Sequence, residues 1–224
     1  MRGISGLCWV LFAGHCGLLG GAQGAVVTYR DLSAFLADSG PLVLQSFEGT
    51  PLFPYEKHGQ IEVSGFTVVT ENLVGIMTAG PTSGQHPSDG AQYLAYNSYG
   101  PVPARGLTIR FDQPILALSF DVIDFGDLPA YLGQTLTMTT SAGDSVLMGK
   151  TVGDYDPPDG NQFFFGILSD TPLSDITLYT TAQDNIALDA FRYRSVPEPS
   201  SFVFAVAGFG VLIGGGRFAR KNRT

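Results

Sequence analysis

Leu107-Thr108-Ile109-Arg110-Phe111 and Leu116-Ala117-Leu118-Ser119-Phe120-Asp121-Val122 decide the fold class. Apolar and polar residues alternate in both runs, and a period of two fits a half-buried strand, not a helix. Strand-like runs continue on either side, over residues 42–47, 61–63, 66–70, 135–139, 145–148, 163–167, 176–179 and 187–193. Gly, Pro, Asp and Asn fill the gaps between them. About ten short strands with such punctuation predict an all-β chain, an antiparallel β-sandwich or jelly roll. No β-α alternation or fixed-period repeat argues for a parallel sheet or a solenoid. One short N-terminal helix is expected over residues 28–40, with apolar Leu32, Phe35 and Leu36 and a Gly40-Pro41 stop.

The composition bounds the function. The 224 residues carry 20 acidic and 12 basic side chains, a net charge of −8, and 44% of them are hydrophobic. That apolar content excludes a disordered chain. The acidic balance argues against nucleic acid as a partner. Apolar runs of spanning length lie only at the two ends, so a polytopic membrane protein is excluded. Residues 26–196 alone hold 19 acidic and 7 basic side chains, a net of −12. The acid excess therefore belongs to the middle of the chain.

Both ends read as addresses. Met1-Arg2-Gly3 precedes an apolar run from residue 4 to about 19, then Gly20-Gly21-Ala22-Gln23-Gly24-Ala25. A positive charge, an apolar stretch and a small-x-small site predict a signal peptide over residues 1–25, cut after Gly24 or Ala25. Cys8 and Cys16, the only cysteines, and Trp9, the only tryptophan, lie inside it. The exported protein is thus expected to fold without a disulfide, on an ordinary core. At the other end, Val196-Pro197-Glu198-Pro199 precedes the uncharged run 202–216. Counted from Pro199 the run holds 18 uncharged residues, about 27 Å as a transmembrane helix against a bilayer core of about 30 Å. Arg217, Arg220, Lys221 and Arg223 follow it as a basic stop that would stay cytoplasmic.

A Pro-Glu-Pro motif, a Gly-rich apolar helix and a basic cluster, in that order over residues 196–224, resemble the PEP-CTERM sorting signal. Pro197, Glu198 and Pro199 match its motif residue by residue, while the basic cluster is more open than a tight Arg run. The resemblance implies export across the inner membrane of a Gram-negative bacterium and recognition by exosortase, a membrane cysteine transpeptidase-like enzyme. It implies an inner-membrane-anchored precursor, then release or transfer to the cell surface or extracellular matrix. Extracellular polysaccharide and biofilm are the family's usual associations. A weaker resemblance covers residues 26–195. The helix leading into Gln45-Ser46-Phe47-Glu48-Gly49, and the stretch from Phe165-Gly166-Ile167-Leu168-Ser169-Asp170 to Leu188-Asp189-Ala190-Phe191, look like β-sandwich ectodomains common in such proteins. Those ectodomains are often compared to carbohydrate-binding modules.

Residues that carry chemistry are few. There is no Gly-x-Ser-x-Gly elbow, no zinc-type His spacing and no phosphate-cradling loop. His58 and His86 sit in polar, Gly/Pro-rich surroundings. No catalytic residue is assigned, and the expected role is structural or polysaccharide-binding. A carbohydrate-active hydrolase is one alternative, drawing two carboxyls from Glu48, Glu56, Glu62, Glu71 or the aspartates. A Ca²⁺-dependent adhesion module is the other. Asp154, Asp156 and Asp159, in Asp154-Tyr155-Asp156-Pro157-Pro158-Asp159-Gly160-Asn161, offer the oxygens Ca²⁺ wants, as do Asp121, Asp124 and Asp127. Ordinary Asp/Gly/Pro turns are the competing reading of both clusters. Tyr93, Tyr96 and Tyr99, with Asn97 between them, suit sugar stacking and hydroxyl recognition. A half-buried strand and its loop is the competing reading there.

Overall fold

A computed structural model of the chain describes residues 25–57, 59–78, 84–98, 106–126, 133–150, 161–181 and 184–196. All but Ala25 of the signal peptide expected over residues 1–25, and all but Val196 of the sorting tail expected over residues 196–224, lie outside the described residues. Among the described residues, no helix is long and apolar enough to cross a membrane. The elements are β1 (Val26–Tyr29), α1 (Leu32–Ser39), β2 (Val43–Gln45), β3 (Phe53–Lys57), β4 (Gln60–Val63), β5 (Phe66–Thr70) and β6 (Leu73–Thr78). After them come β7 (Gln92–Asn97), β8 (Leu107–Ile123), β9 (Thr135–Thr140), β10 (Ser145–Lys150), β11 (Gln162–Thr180) and β12 (Asn185–Ser195). The expectation of an antiparallel β chain with one short helix holds, since every pairing is antiparallel.

Two long strands turn one hydrogen-bonded sheet into two layers. The first part of β8 pairs with β5 and with the last part of β11, which also pairs with β9. With β4 beyond β5 and β10 beyond β9, these form layer one. The later part of β8 pairs with the first part of β11 and with β12. Layer two runs β1-β11-β8-β12-β7-β6-β3, and β2 joins β12 over residues 191–193. The ladder between β8 and β11 slips between Ala117↔Leu168, Ile115↔Leu173 and Arg110↔Asp175. Pro114 and Pro172 fall in that slip, where a missing N–H costs no ladder bond. The sequence reads four strands there, because prolines and acids interrupt the alternation; the chain instead runs through as two bent strands.

The layers meet on aromatic rings. Phe66 of layer one lies 5.3 Å from Phe191 and 6.2 Å from Tyr193 of layer two. Phe120 stacks on Phe191 at 4.9 Å, and Phe47 sits edge-on to both Phe66 and Phe191. Each fully buried Phe contributes about 1.5–3 kcal/mol of apolar transfer. Arg30 closes one side of the sandwich. It donates to the Met148 and Leu147 carbonyls of β10, and its guanidinium lies 5.0 Å from the Phe165 ring centroid.

The N-terminal helix is shorter than expected. Val26-Val27-Thr28-Tyr29 is β-branched and aromatic and pairs with β11 as a strand. Asp31 then caps α1, accepting the Ala34 N–H at 2.8 Å. Phe35 drives the helix onto layer two, packing over Gly166 beside Tyr29 and Phe164.

Candidate functional site

The outer face of layer two carries the candidate site. Tyr93, Ala95, Ile123 and Ala187 form a small buried cluster separate from the main core, which marks that face. Side chains alternate along a strand, so Asp121 on β8 and Asp189 on β12 share it. Register puts Phe164, Asp121 and Asp189 in one row across three strands. Strands lie about 4.8 Å apart, so the row is about 10 Å long. Phe164 and Asp121 are half-buried, and the exposed Gln162 donates to Asp121 Oδ2 at 3.3 Å. α1 borders the row on one side through Phe35, and residues 84–92 border it on the other.

Carboxylates hold that bordering segment down. Asp189 is fully buried. Its Oδ2 accepts the Ser88 and Asp89 N–H groups, each at 2.8 Å, and its Oδ1 accepts the Ala190 N–H at 2.6 Å. Burial pushes the Asp189 carboxyl up to about 6, and the nearby Asp89 charge adds to the rise. The N–H donors of Asp89, Ala190 and Ser88 oppose it. Glu48 Oε1 accepts the Ala91 and Gln92 N–H groups at 2.5 and 2.8 Å. Asp124 presses its carboxylate against Gly84, and Glu48 presses against Gly90. Both glycines have positive φ (+71° and +77°), and a Cβ on either would stand 2.4 Å from the carboxylate oxygen. Only glycine satisfies both conditions. Among the described residues, the non-glycine residues with positive φ are Phe47, Asp124 and Ala190, each at or beside one of these carboxylates. Such conformations cost about 1–2 kcal/mol each and persist where the surroundings fix them.

The expected site residues fall in different places. Tyr93 and Tyr96 are 2% and 0% exposed. This corrects the stacking expectation for both, because the main core covers Tyr96 and the small outer-face cluster buries Tyr93, leaving neither ring face open to a sugar. Asn72 Nδ2 donates to Tyr96 Oη at 2.9 Å, and burial pushes the Tyr96 phenol up. Asn97 is half-buried at the end of β7, paired with Asn185 and Leu73. Tyr99, Asp127, Asp154, Asp156, Asp159 and His58 lie outside the described residues. Among the described residues, no group of three or more His, Cys, Asp or Glu side chains could hold a metal ion. Asp121 joins the row through Gln162, while Asp124 closes a turn, its N–H donating to the Asn161 carbonyl at 2.7 Å. His86 Nδ1 meets the Gly84 carbonyl at 3.1 Å. Sequence reasoning missed Phe164 and Asp189. Phe164 is hidden in the run Phe163-Phe164-Phe165, and no local pattern marks an aspartate whose donors lie about a hundred residues away.

No family model matches the chain, and no curated protein matches it. Solved structures resemble it weakly. The K2 cleaved adhesin domain of Lys-gingipain aligns with a TM-score of 0.45 and 9% identity, over 69% of this chain and 98% of that one. The CBM22-1 xylan-binding domain of Paenibacillus barcinonensis Xyn10C gives 0.34 and 18%, over 71% and 97%. The catalytic domain of a GH87 α-1,3-glucanase gives 0.37 and 11%, over 71% of this chain and 29% of that one. At TM-scores below 0.5 these likenesses carry no function to this chain.

Proposed function

We propose that the chain is an exported, exosortase-sorted module of the cell surface or extracellular matrix, with a polysaccharide-binding or structural role and no catalytic one. The observation that carries the reading is where the domain stops. β12 ends at Ser195, Val196 donates to the Pro114 carbonyl at 2.8 Å, and Pro197-Glu198-Pro199 follows at once. The sorting motif thus abuts the folded module. The non-catalytic reading is supported by how the buried carboxylates are used. Asp189 and Asp184 accept backbone N–H groups, the latter from Gly126 at 2.5 Å and Asn185 at 2.8 Å, and so close loops.

Phe164 and Asp121 of the row, with Gln162 beside them, are the proposed saccharide contact. A half-buried ring offers an apolar face, and the carboxylate and amide beside it suit sugar hydroxyls. The mature protein should bind a neutral glycan on an array, and Phe164→Ala with Gln162→Ala should lower that binding at least about tenfold, or 1.4 kcal/mol. Unchanged binding in the double variant removes the row from the reading. Release of reducing ends from the bound glycan defeats the non-catalytic assignment.

A further inference from the structure

The described domain begins and ends at the same place. The Ala25 carbonyl accepts the Asp170 N–H at 3.4 Å, and Val196 donates to the Pro114 carbonyl at 2.8 Å. Both contacts lie at the slip between β8 and β11, where Ile115 faces Leu173. Residues preceding the domain and residues following it therefore leave from one end. Five residues, 197–201, separate Val196 from the uncharged run 202–216. Fully extended, they reach at most about 17 Å.

Beside these exits lies the face bearing α1, and it is unlike the rest of the domain. α1 crosses layer two from β1 to β2, burying Phe35 and Ser39 and turning Leu36, Ala34 and Ala37 outward. Leu36 is 47% exposed, and Val27 on β1 and Leu44 on β2 are each 52% exposed. Arg194 on β12 reaches the helix, whose ends carry the acids Asp31 and Asp38. Arg194 is tied to it directly, donating to the Ser39 carbonyl.

We propose that the α1 face, with Val27, Leu36 and Leu44, is a docking surface for a lipid bilayer while the chain still carries its C-terminal tail. The proposal rests on the sorting-tail reading above, because the tail supplies the tether. A short tether keeps the face at high effective concentration beside the bilayer, so a modest apolar surface suffices for contact. The saccharide row lies on the same layer, so cutting the tail would also free it.

The test uses the full chain with Cys8→Ser and Cys16→Ser, reconstituted in phosphatidylcholine vesicles with brominated acyl chains. Single variants Leu36→Cys, Leu44→Cys, Glu71→Cys and Ala205→Cys carry a fluorophore. Positions 36, 44 and 71 are exposed, so the label stays out of the core, and Glu71 sits between β5 and β6 at the end opposite the exits. Bromine quenching at 36 and 44 should exceed that at 71 by about threefold or more, with 205 quenched most. Equal quenching at 36, 44 and 71, with 205 quenched, overturns the docking surface while leaving the tail reading intact. An unquenched label at 205 overturns the tail reading and the proposal with it. Concentration-dependent crosslinking of Leu36→Cys copies in place of quenching assigns the face to a second copy of the chain and also overturns the proposal.

Discussion

α1 and residues 84–92 cover the same face of layer two by opposite physics. α1 is held by an apolar plug, with Phe35 over Gly166 and its ring against Tyr29 and Phe164. Residues 84–92 are held by charge. Asp189, Glu48 and Asp124 reach them from β12, the β2–β3 connection and the end of β8. The plug draws on water exclusion and is indifferent to pH. The carboxylate clamps satisfy backbone N–H groups, and the strength of the buried Asp189 clamp depends on its protonation. One face thus has a cover of fixed strength beside a cover that pH adjusts.

The largest effect should come from the plug. Phe35→Ala should cost about 3–5 kcal/mol in denaturant unfolding, since the ring is fully buried. That loss should not vary between pH 4 and pH 7. A loss below about 1 kcal/mol would mean that α1 contributes little to the fold.

The next effect is the pH response of Asp189. Its folded-state value is raised from 3.8 to about 6. For a raised group the contribution is fully present below the unfolded value and is lost as pH rises through the folded one. Between about pH 4 and pH 6 the domain should therefore lose on the order of 2 kcal/mol of stability. Asp189→Asn should flatten that slope. Asp31 titrates in the opposite sense. Its carboxyl is held below the usual range by Ser33 and the Ala34 N–H, so its contribution is lost only as pH falls below about 4. The two windows separate. A domain that grows steadily more stable from pH 4 to pH 6 would contradict the account of Asp189.

Smaller effects sharpen the contrast. Gly90→Ala places a methyl group against Glu48 at positive φ and should cost about 1–2 kcal/mol, with faster hydrogen exchange at Ala91 and Gln92 but not in α1. Asp31→Ala removes the α1 cap and should cost about 1 kcal/mol, read as fraying of α1 with residues 84–92 unchanged.

The same division decides what was legible in the sequence. Leu107 to Phe111 and Leu116 to Val122 alternate because one face is buried, so their strands could be read directly. Their joining into one bent β8 could not, since Pro114 looks like a break until Val196, just past β12, donates to its carbonyl. Tyr93 and Tyr96 looked like ligand residues because local sequence does not say which layer covers a ring. The role of Asp189 is not legible locally, because the Ser88 and Asp89 N–H groups that give it meaning are distant in the chain. Phe164, the ring proposed for saccharide contact, reads from sequence only as part of the strand-like run 163–167.

The central claim is that this module is exported and sorted through its tail. Its most direct test is the intact mass of the protein from cells with and without exosortase. The account predicts that the mature chain begins near Ala25 in both, and that residues beyond the Pro197-Glu198-Pro199 region are lost only where exosortase is present. An identical C-terminus in both cells, with residues 202–224 retained, would contradict it.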